Sequence, residues 1–484
     1  MAYFHGVKAS EIDTSVLATV STTAGLPVVF GTAPVNTTEN PSAYVNKPVI
    51  CYNWSEAVKA LGYSDDWDSF TLCEAMYAAF KLYNISPIIF VNVLDPSKHT
   101  KAVSNETHEV AADKTVTLTG PVVLSTLTVK GSENEAAQDL KKDTDYTAAF
   151  NDDGQVVITL LPTGSAASSE SIMVSYSALD ASKVGSNDII GGASAEGKVT
   201  GLELLDTIYS RFSFVPGMVL APGYSENPAV ASVMKSKAHN IDSIFRCIAL
   251  TDVDTAEAKD YQSVNEWKNK NNYTGTNQVV CWPCVRNGNS VFHMSTHIMG
   301  IIGVMDAAND DVPYQSPSNR SLQATGICLK DGTEVDMGLS QANLLNSQGV
   351  MTALNFSGGW KSWGNYTGAY PSITDVKDSF ICVRRMFDWQ YQTFILNYWQ
   401  KVDQPLGKRL IKTIVDSEQI RLNGLVARGY MLGASVKFLE EENPQTDLLA
   451  GIVRIHTSIT PPVPAQDIED IVEYDVSNFN TLFN

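Results

Sequence analysis

Two hydrophobic rhythms alternate along most of this chain. Short apolar runs at Val28-Val29-Phe30-Gly31, 49–52 and 87–93 read as strands. Between them, residues 53–62 and 69–83 show helical spacing, with Leu72, Met76, Ala79, Phe80 and Tyr83 on one face and Asn53 or Ser55 able to cap the first helix. Strand, helix, strand in this order predicts an α/β layer. The same character returns late in the chain. Strands are expected at 218–222, 245–250 and 279–285, and helices at 228–240, 256–270 and 296–307. Leu202, Leu205 and Ile208 also fall at helical spacing.

The stretch 99–198 is different. It is rich in Thr, Ser, Val and Asp, and offers strands at 115–119, 122–129, 155–161 and 172–177 with no helical pattern between them. Asp152-Asp153-Gly154 is a hairpin signal. A small all-β domain inserted into the α/β domain is expected here.

The last hundred residues carry a third pattern. Val383, Phe387, Tyr391, Phe394 and Tyr398 recur at three or four residues, predicting a helix with one buried face. Gln404-Pro405 breaks the chain. Leu406, Leu410, Ile411, Ile414, Val415, Leu422, Leu425 and Val426 then share a little over half of a second helical wheel, and Gly429 stops it. Arg409 and Lys412 lie on the other part of that wheel, with Lys408 at its margin. Strands are expected at 434–438 and 451–459 around an Asn443-Pro444 turn. Pro461, Pro462 and Pro464 then detach a tail in which Ile468, Ile471, Val472, Tyr474 and Val476 are interleaved with Asp467, Glu469, Asp470, Glu473 and Asp475. Such a segment cannot satisfy its own backbone, so it either frays or adds a strand to another sheet.

The expected architecture is therefore α/β and α+β multidomain. A core at 21–98 and 199–375 carries the β insertion at 99–198. A C-terminal α+β domain follows at 376–465, with extended arms at 1–20 and 466–484.

Composition narrows the function. The 484 residues hold 34 Lys plus Arg against 53 Asp plus Glu, a formal charge of -19, which disfavours nucleic acid and anionic membranes as partners. The 44% apolar share is ordinary and the 18% charged share is low, as suits a chain that buries surface against partners. Seven scattered cysteines do not form a disulfide framework, and the start MAYFHGVKAS is not a secretory signal, so a reducing cytosol is expected.

Little of the sequence points to catalysis. Cys281-Trp-Pro-Cys284 is a CxxC, and with His293 and His297 could supply four zinc ligands. The cysteines sit in an apolar run, VVCWPCV, where buried structural thiols are the commoner outcome. No GxxxxGK[ST] or G-x-S-x-G is present. The sharpest polar feature is the stripe Lys408, Arg409 and Lys412, which invites an acidic partner or is a solvated helix face paired with Asp416.

Several landmarks occur in a fixed order: HGVKASEIDTS, VLAPGYSENPAV, STHIMGIIGVMDAANDDVPYQSPSNR, LNSQGVMTAL, SWGNYT, then VRR, an apolar helix, EEENP and ITPPVPAQDI. This ordered set resembles the contractile tail sheath family of phages and related injection machines, with Tyr366 where Arg is commoner. The resemblance implies a structural subunit and no enzyme, without cofactor or metal. It implies self-association into hexameric rings stacked helically, and contact with a tail tube protein and with baseplate and tail terminator proteins. The location implied is the virion tail, assembled in the bacterial host cytoplasm, with no nucleic-acid partner and no membrane insertion. Lys408, Arg409 and Lys412 would then face the tube. Val7, Ile12, Ile468, Ile471, Val472 and Tyr474 would lie on arms that join neighbouring subunits. A headless tail-like bacteriocin or another contractile injection system is the alternative within the class. Outside it stands a cytosolic metal- or thiol-dependent enzyme using Cys281 and Cys284.

Overall fold

The computed structural model describes residues 24–131, 138–151, 153–476 and 478–479. Val7, Ile12 and the whole of 1–20 lie outside the described residues. The fold is mixed α/β with several sheets.

The largest sheet has eight strands: β1 (Pro27–Gly31), β2 (Val49–Cys51), β3 (Ile88–Asn92), β4 (Met218–Leu220), β5 (Ile248–Asp252), β6 (Gln278–Cys281), β7 (Val350–Asn355) and β8 (Trp360–Trp363). Their order is β8-β7-β6-β5-β4-β1-β3-β2. Pairing is parallel from β7 to β3 and antiparallel at both edges. Val28 is in register with Val219 on one side and Ile89 on the other. The central strands are buried along their length, which is why they read as continuous apolar runs. Local chemistry starts the covering helices. Asn53 caps Trp54–Leu61 by accepting from the Glu56 amide, and Asn227 with Pro228 opens Pro228–His239.

Several expected elements differ in the structure. The helix expected at 69–83 is α-helical over Thr71–Tyr77 and widens into a π turn over Ala78–Tyr83, ending at Asn84 in the left-handed region. The spacing of Leu202, Leu205 and Ile208 belongs to a 3-10 run, Gly201–Thr207, followed by a short helix. The strand expected at 279–285 is two strands, β6 and Cys284–Asn287, separated at Trp282-Pro283. Proline has no amide to continue the ladder.

Residues Thr100 to Leu179 contribute two three-stranded sheets. One contains Thr100–Glu109, Ser171–Leu179 and Thr128–Lys130, and the other Thr115–Leu118, Val156–Leu160 and Tyr146–Phe150. Their inner faces share a separate apolar cluster that includes Val116, Val129, Ile158 and Val174. The strand expected at 122–129 is only Thr128–Lys130, since Leu124–Thr126 is a 3-10 turn. Val123 and Leu179 at the base of this stretch, and Val184 and Ile189 beyond it, pack with the core of the large sheet.

Three helices organise the rest: α1 (Met294–Ala307), α2 (Ile381–Tyr398) and α3 (Lys408–Ala427). Met386 and Trp389 of α2 meet Leu422 and Leu425 of α3, together with Ala24 and Val312. The expectation of a single buried stripe on α2 is corrected. The helix is buried on nearly all sides, and Tyr391, assigned to the stripe, is 45% exposed. The helix is enclosed between the core and α3, and its polar side chains find partners there. After α3, Gly433–Lys437 and His456–Thr460 form a two-stranded antiparallel sheet. The strand expected at 451–459 is thus short, and Gln445–Leu449 before it is helical.

Candidate assembly surfaces

The C-terminal tail is the most exposed apolar feature. Residues 461–475 belong to no helix or strand. Ile468, Ile471, Val472 and Tyr474 are 85%, 83%, 84% and 74% exposed, an arrangement that costs solvation free energy unless a partner covers it. At the root of the tail the Tyr366 hydroxyl donates to Gln466 Oε1 at 2.7 Å. Tyr366 stacks on Tyr370, with ring centroids 3.7 Å apart.

The two-stranded sheet has no third strand among the described residues. On the Gly433–Lys437 side, Gln419 from α3 accepts from the Val436 amide at 2.8 Å and donates to the Ala434 carbonyl at 3.3 Å. That side chain covers one edge. A pair of strands is marginal without further pairing or packing.

Lys408, Arg409 and Lys412 are all exposed at the start of α3 and form no ion pair among the described residues. Gly407 offers α3 no side-chain cap, and its first turn holds no acid, so the basic side chains stand at the positive end of the helix dipole.

The CxxC does not assemble a site. Cys281 and Cys284 are both buried, and burial pushes both thiols up. Cys284 lies opposite Cys328 across adjacent strands. His293 Nδ1 is 2.7 Å from Glu74 Oε2, whereas His297 Nδ1 meets the Tyr83 hydroxyl at 2.8 Å. Among the described residues no three His, Cys, Asp or Glu side chains converge as metal ligands. No helix among them is long and apolar enough to cross a membrane.

Three buried polar groupings escaped the sequence reading. At the start of α1, His293 lies between Glu74 and Glu226, and Asp252 accepts from the Ser295 amide at 3.0 Å. Burial pushes Asp252 up to about 6. Burial pulls the His293 imidazole down, but the two glutamates outweigh it and hold its proton well above the usual range. In the second grouping, Glu418 is fully buried and accepts from Gln390 at 2.6 Å, Arg421 at 2.6 Å and Tyr398 at 3.2 Å. The third pairs Arg385 with Asp306. The only signal for them was a charged residue inside an apolar helix, as with Glu74 in TLCEAMYAAF and Asp306 in IIGVMDAA.

The tail sheath protein of Burkholderia phage BcepMu is 27% identical over 476 residues, covering 96% of this chain and 95% of that protein. The tail sheath protein of Escherichia phage P2 is 25% identical over 312 residues, or 62% of this chain and 74% of that one. No family model matches. Among solved structures, the contracted helical sheath of the anti-feeding prophage superposes with a TM-score of 0.58 at 13% identity, covering 98% of this chain and 100% of that chain. The contracted sheath of the extracellular contractile injection system PVC gives 0.54 at 12% identity, with 99% of each chain covered. Over nearly its whole length the chain is thus similar to contractile tail sheath proteins. The enzyme reading built on Cys281 and Cys284 has no support.

Proposed function

We propose that this protein is the structural subunit of a contractile tail sheath. It polymerises with copies of itself in stacked hexameric rings around a tail tube, and contracts to drive the tube through the target envelope. The single observation that carries the reading is the tail: a proline-detached segment with four large side chains more than 70% exposed, on a chain related over its length to sheath proteins. Ile468, Ile471, Val472 and Tyr474 are proposed to pair with a sheet of a neighbouring copy. The arm at 1–20, with Val7 and Ile12, is proposed to do the same.

The stripe Lys408, Arg409 and Lys412 is proposed to face the tube, with 376–465 as the tube-facing domain and 99–198 turned outward. Baseplate and tail terminator proteins are the expected end partners, and assembly is placed in the cytoplasm of the bacterial host. No active site is required, because the work of contraction comes from the metastable extended polymer. Deleting 466–484 tests the reading. The expected product is a folded, soluble monomer that forms no tubes by negative-stain electron microscopy. Normal tubes from that truncation would overturn it.

A further inference from the structure

Ala24 and Gly25, where the described chain begins, lie in a closely fitted slot. Ala24 is buried, and Leu26 accepts from the Gly217 and Met218 amides at 2.9 and 3.1 Å as the chain enters the large sheet. A Cβ on Gly217 would fall onto the Ala24 carbonyl oxygen, and one on Gly25 would come within 2.9 Å of Asp306 Oδ2. Both walls therefore require glycine.

The slot is closed by a buried ion pair. Arg385 and Asp306 side chains are 3% and 2% exposed. Arg385 Nη1 donates to Asp306 Oδ1 at 3.1 Å, and Nη2 donates both to Asp306 Oδ2 and to the Ala24 carbonyl at 3.2 Å. Asp306 sits in the last turn of α1, where the helix dipole disfavours an acid, so local helix energetics do not account for it. One guanidinium thus ties three elements together: α1 of the core, α2, and the chain entering β1.

We propose that Arg385, held by Asp306, is the anchor of the N-terminal arm. The inference rests on the reading of 1–20 as an assembly arm. Tension on that arm reaches the slot at Ala24 and is divided there between the large sheet and α2, so the core and the C-terminal helices move as one body when a neighbour pulls. A fork-shaped donor is needed, since one group must serve a carboxylate and a carbonyl together.

The test uses the full chain with D306L/R385M, an apolar pair of similar shape. Replacing a buried ion pair in this way is commonly neutral or stabilising, which offsets the acceptor left bare at Ala24, so the monomer's urea midpoint should stay near the wild-type value. Hydrogen exchange at the Gly217 and Met218 amides, which donate to the Leu26 carbonyl in the slot, should quicken about tenfold, as loss of a charge-assisted hydrogen bond implies. Tubes should be lost or dissociate at lower urea. If the double variant fails to fold, R385K is read instead: it keeps the charge for Asp306 but not the fork, and the same two changes are expected. Tubes with the wild-type urea midpoint, or unchanged exchange at the slot, would overturn the proposal. Deleting 1–20 separates the two readings. Normal tubes without those residues overturn the arm and the anchor together. Tubes lost there but normal in D306L/R385M overturn the anchor alone.

Discussion

Replacing His293 with Asn should flatten the fall of stability between pH 6.5 and 8. The imidazole is buried at the start of α1, with Nδ1 2.7 Å from Glu74 and Nε2 3.4 Å from Glu226. Its folded pKa is raised well above the ordinary 6.5. A raised histidine contributes stability that is fully present below the unfolded value and is lost as pH climbs toward the folded one. With one more proton bound in the folded state, the slope approaches about 1.4 kcal/mol per pH unit. The unfolded histidine is already half-titrated at pH 6.5, so the loss across the window is below that full slope, on the order of 1 kcal/mol. His297 works in the other direction, because burial pushes its pKa down to about 3. Over the same window it returns a smaller amount of stability, and it does so in wild type and variant alike. Lys268, pulled down to about 8 by burial, acts in the same direction as His297 and is likewise common to wild type and variant. Asn offers an amide near the Nδ1 position for Glu74 but carries no proton to lose. Its absolute stability should drop by about 3–5 kcal/mol, as expected when one partner leaves a buried charge unpaired. The diagnostic quantity is therefore the slope. Urea unfolding at pH 6.5, 7.25 and 8 would show the variant losing less stability than wild type across the window, the difference being reduced in part because Asp252 and Glu226 rise once His293 is gone. Parallel slopes would refute the assignment of a charged imidazole between the two glutamates.

Reversing Lys408, Arg409 and Lys412 to Glu should abolish assembly around tubes while leaving the monomer's melting temperature nearly unchanged, because all three are exposed. Raised salt should weaken the wild-type contact, and cosedimentation indifferent to both perturbations would leave the stripe as a solvated face. Glu418→Ala should cost about 3–5 kcal/mol in urea unfolding, since it strips the buried acceptor from Arg421, Gln390 and Tyr398. Excising 100–179 with a short glycine closure should preserve polymerisation, because Thr100 and Leu179 are directly paired and the His99 carbonyl already accepts from Asp180 at 2.8 Å. An insoluble product would make that stretch integral to the core.

How much could be read from the sequence depended on whether a residue's partners were near it in the chain. The strands at Val28, Ile89 and Leu250 were legible because burial on both faces leaves an unbroken apolar run. The helix opened by Asn227-Pro228 and the proline-detached tail were legible because caps and prolines act on their immediate neighbours. Helical spacing also announced α3 and placed Arg409 and Lys412 away from its apolar stripe, with Lys408 at the margin. Spacing misled on α2, where Tyr391 was counted inside and Arg385 went unmarked. A periodic pattern describes a helix with one covered face, and α2 is covered by the core and by α3 together. Cys281, Cys284, His293 and His297, read as four zinc ligands, do not converge as a ligand set among the described residues. Closeness in sequence did not survive the break at Trp282-Pro283, and each histidine found its partner more than 200 positions away, in Glu74 and Tyr83. Local chemistry fixed where the chain turns, starts and stops. Only the packed structure could decide which buried charges meet, because a charge can be held in the interior only where a distant segment brings its counterpart.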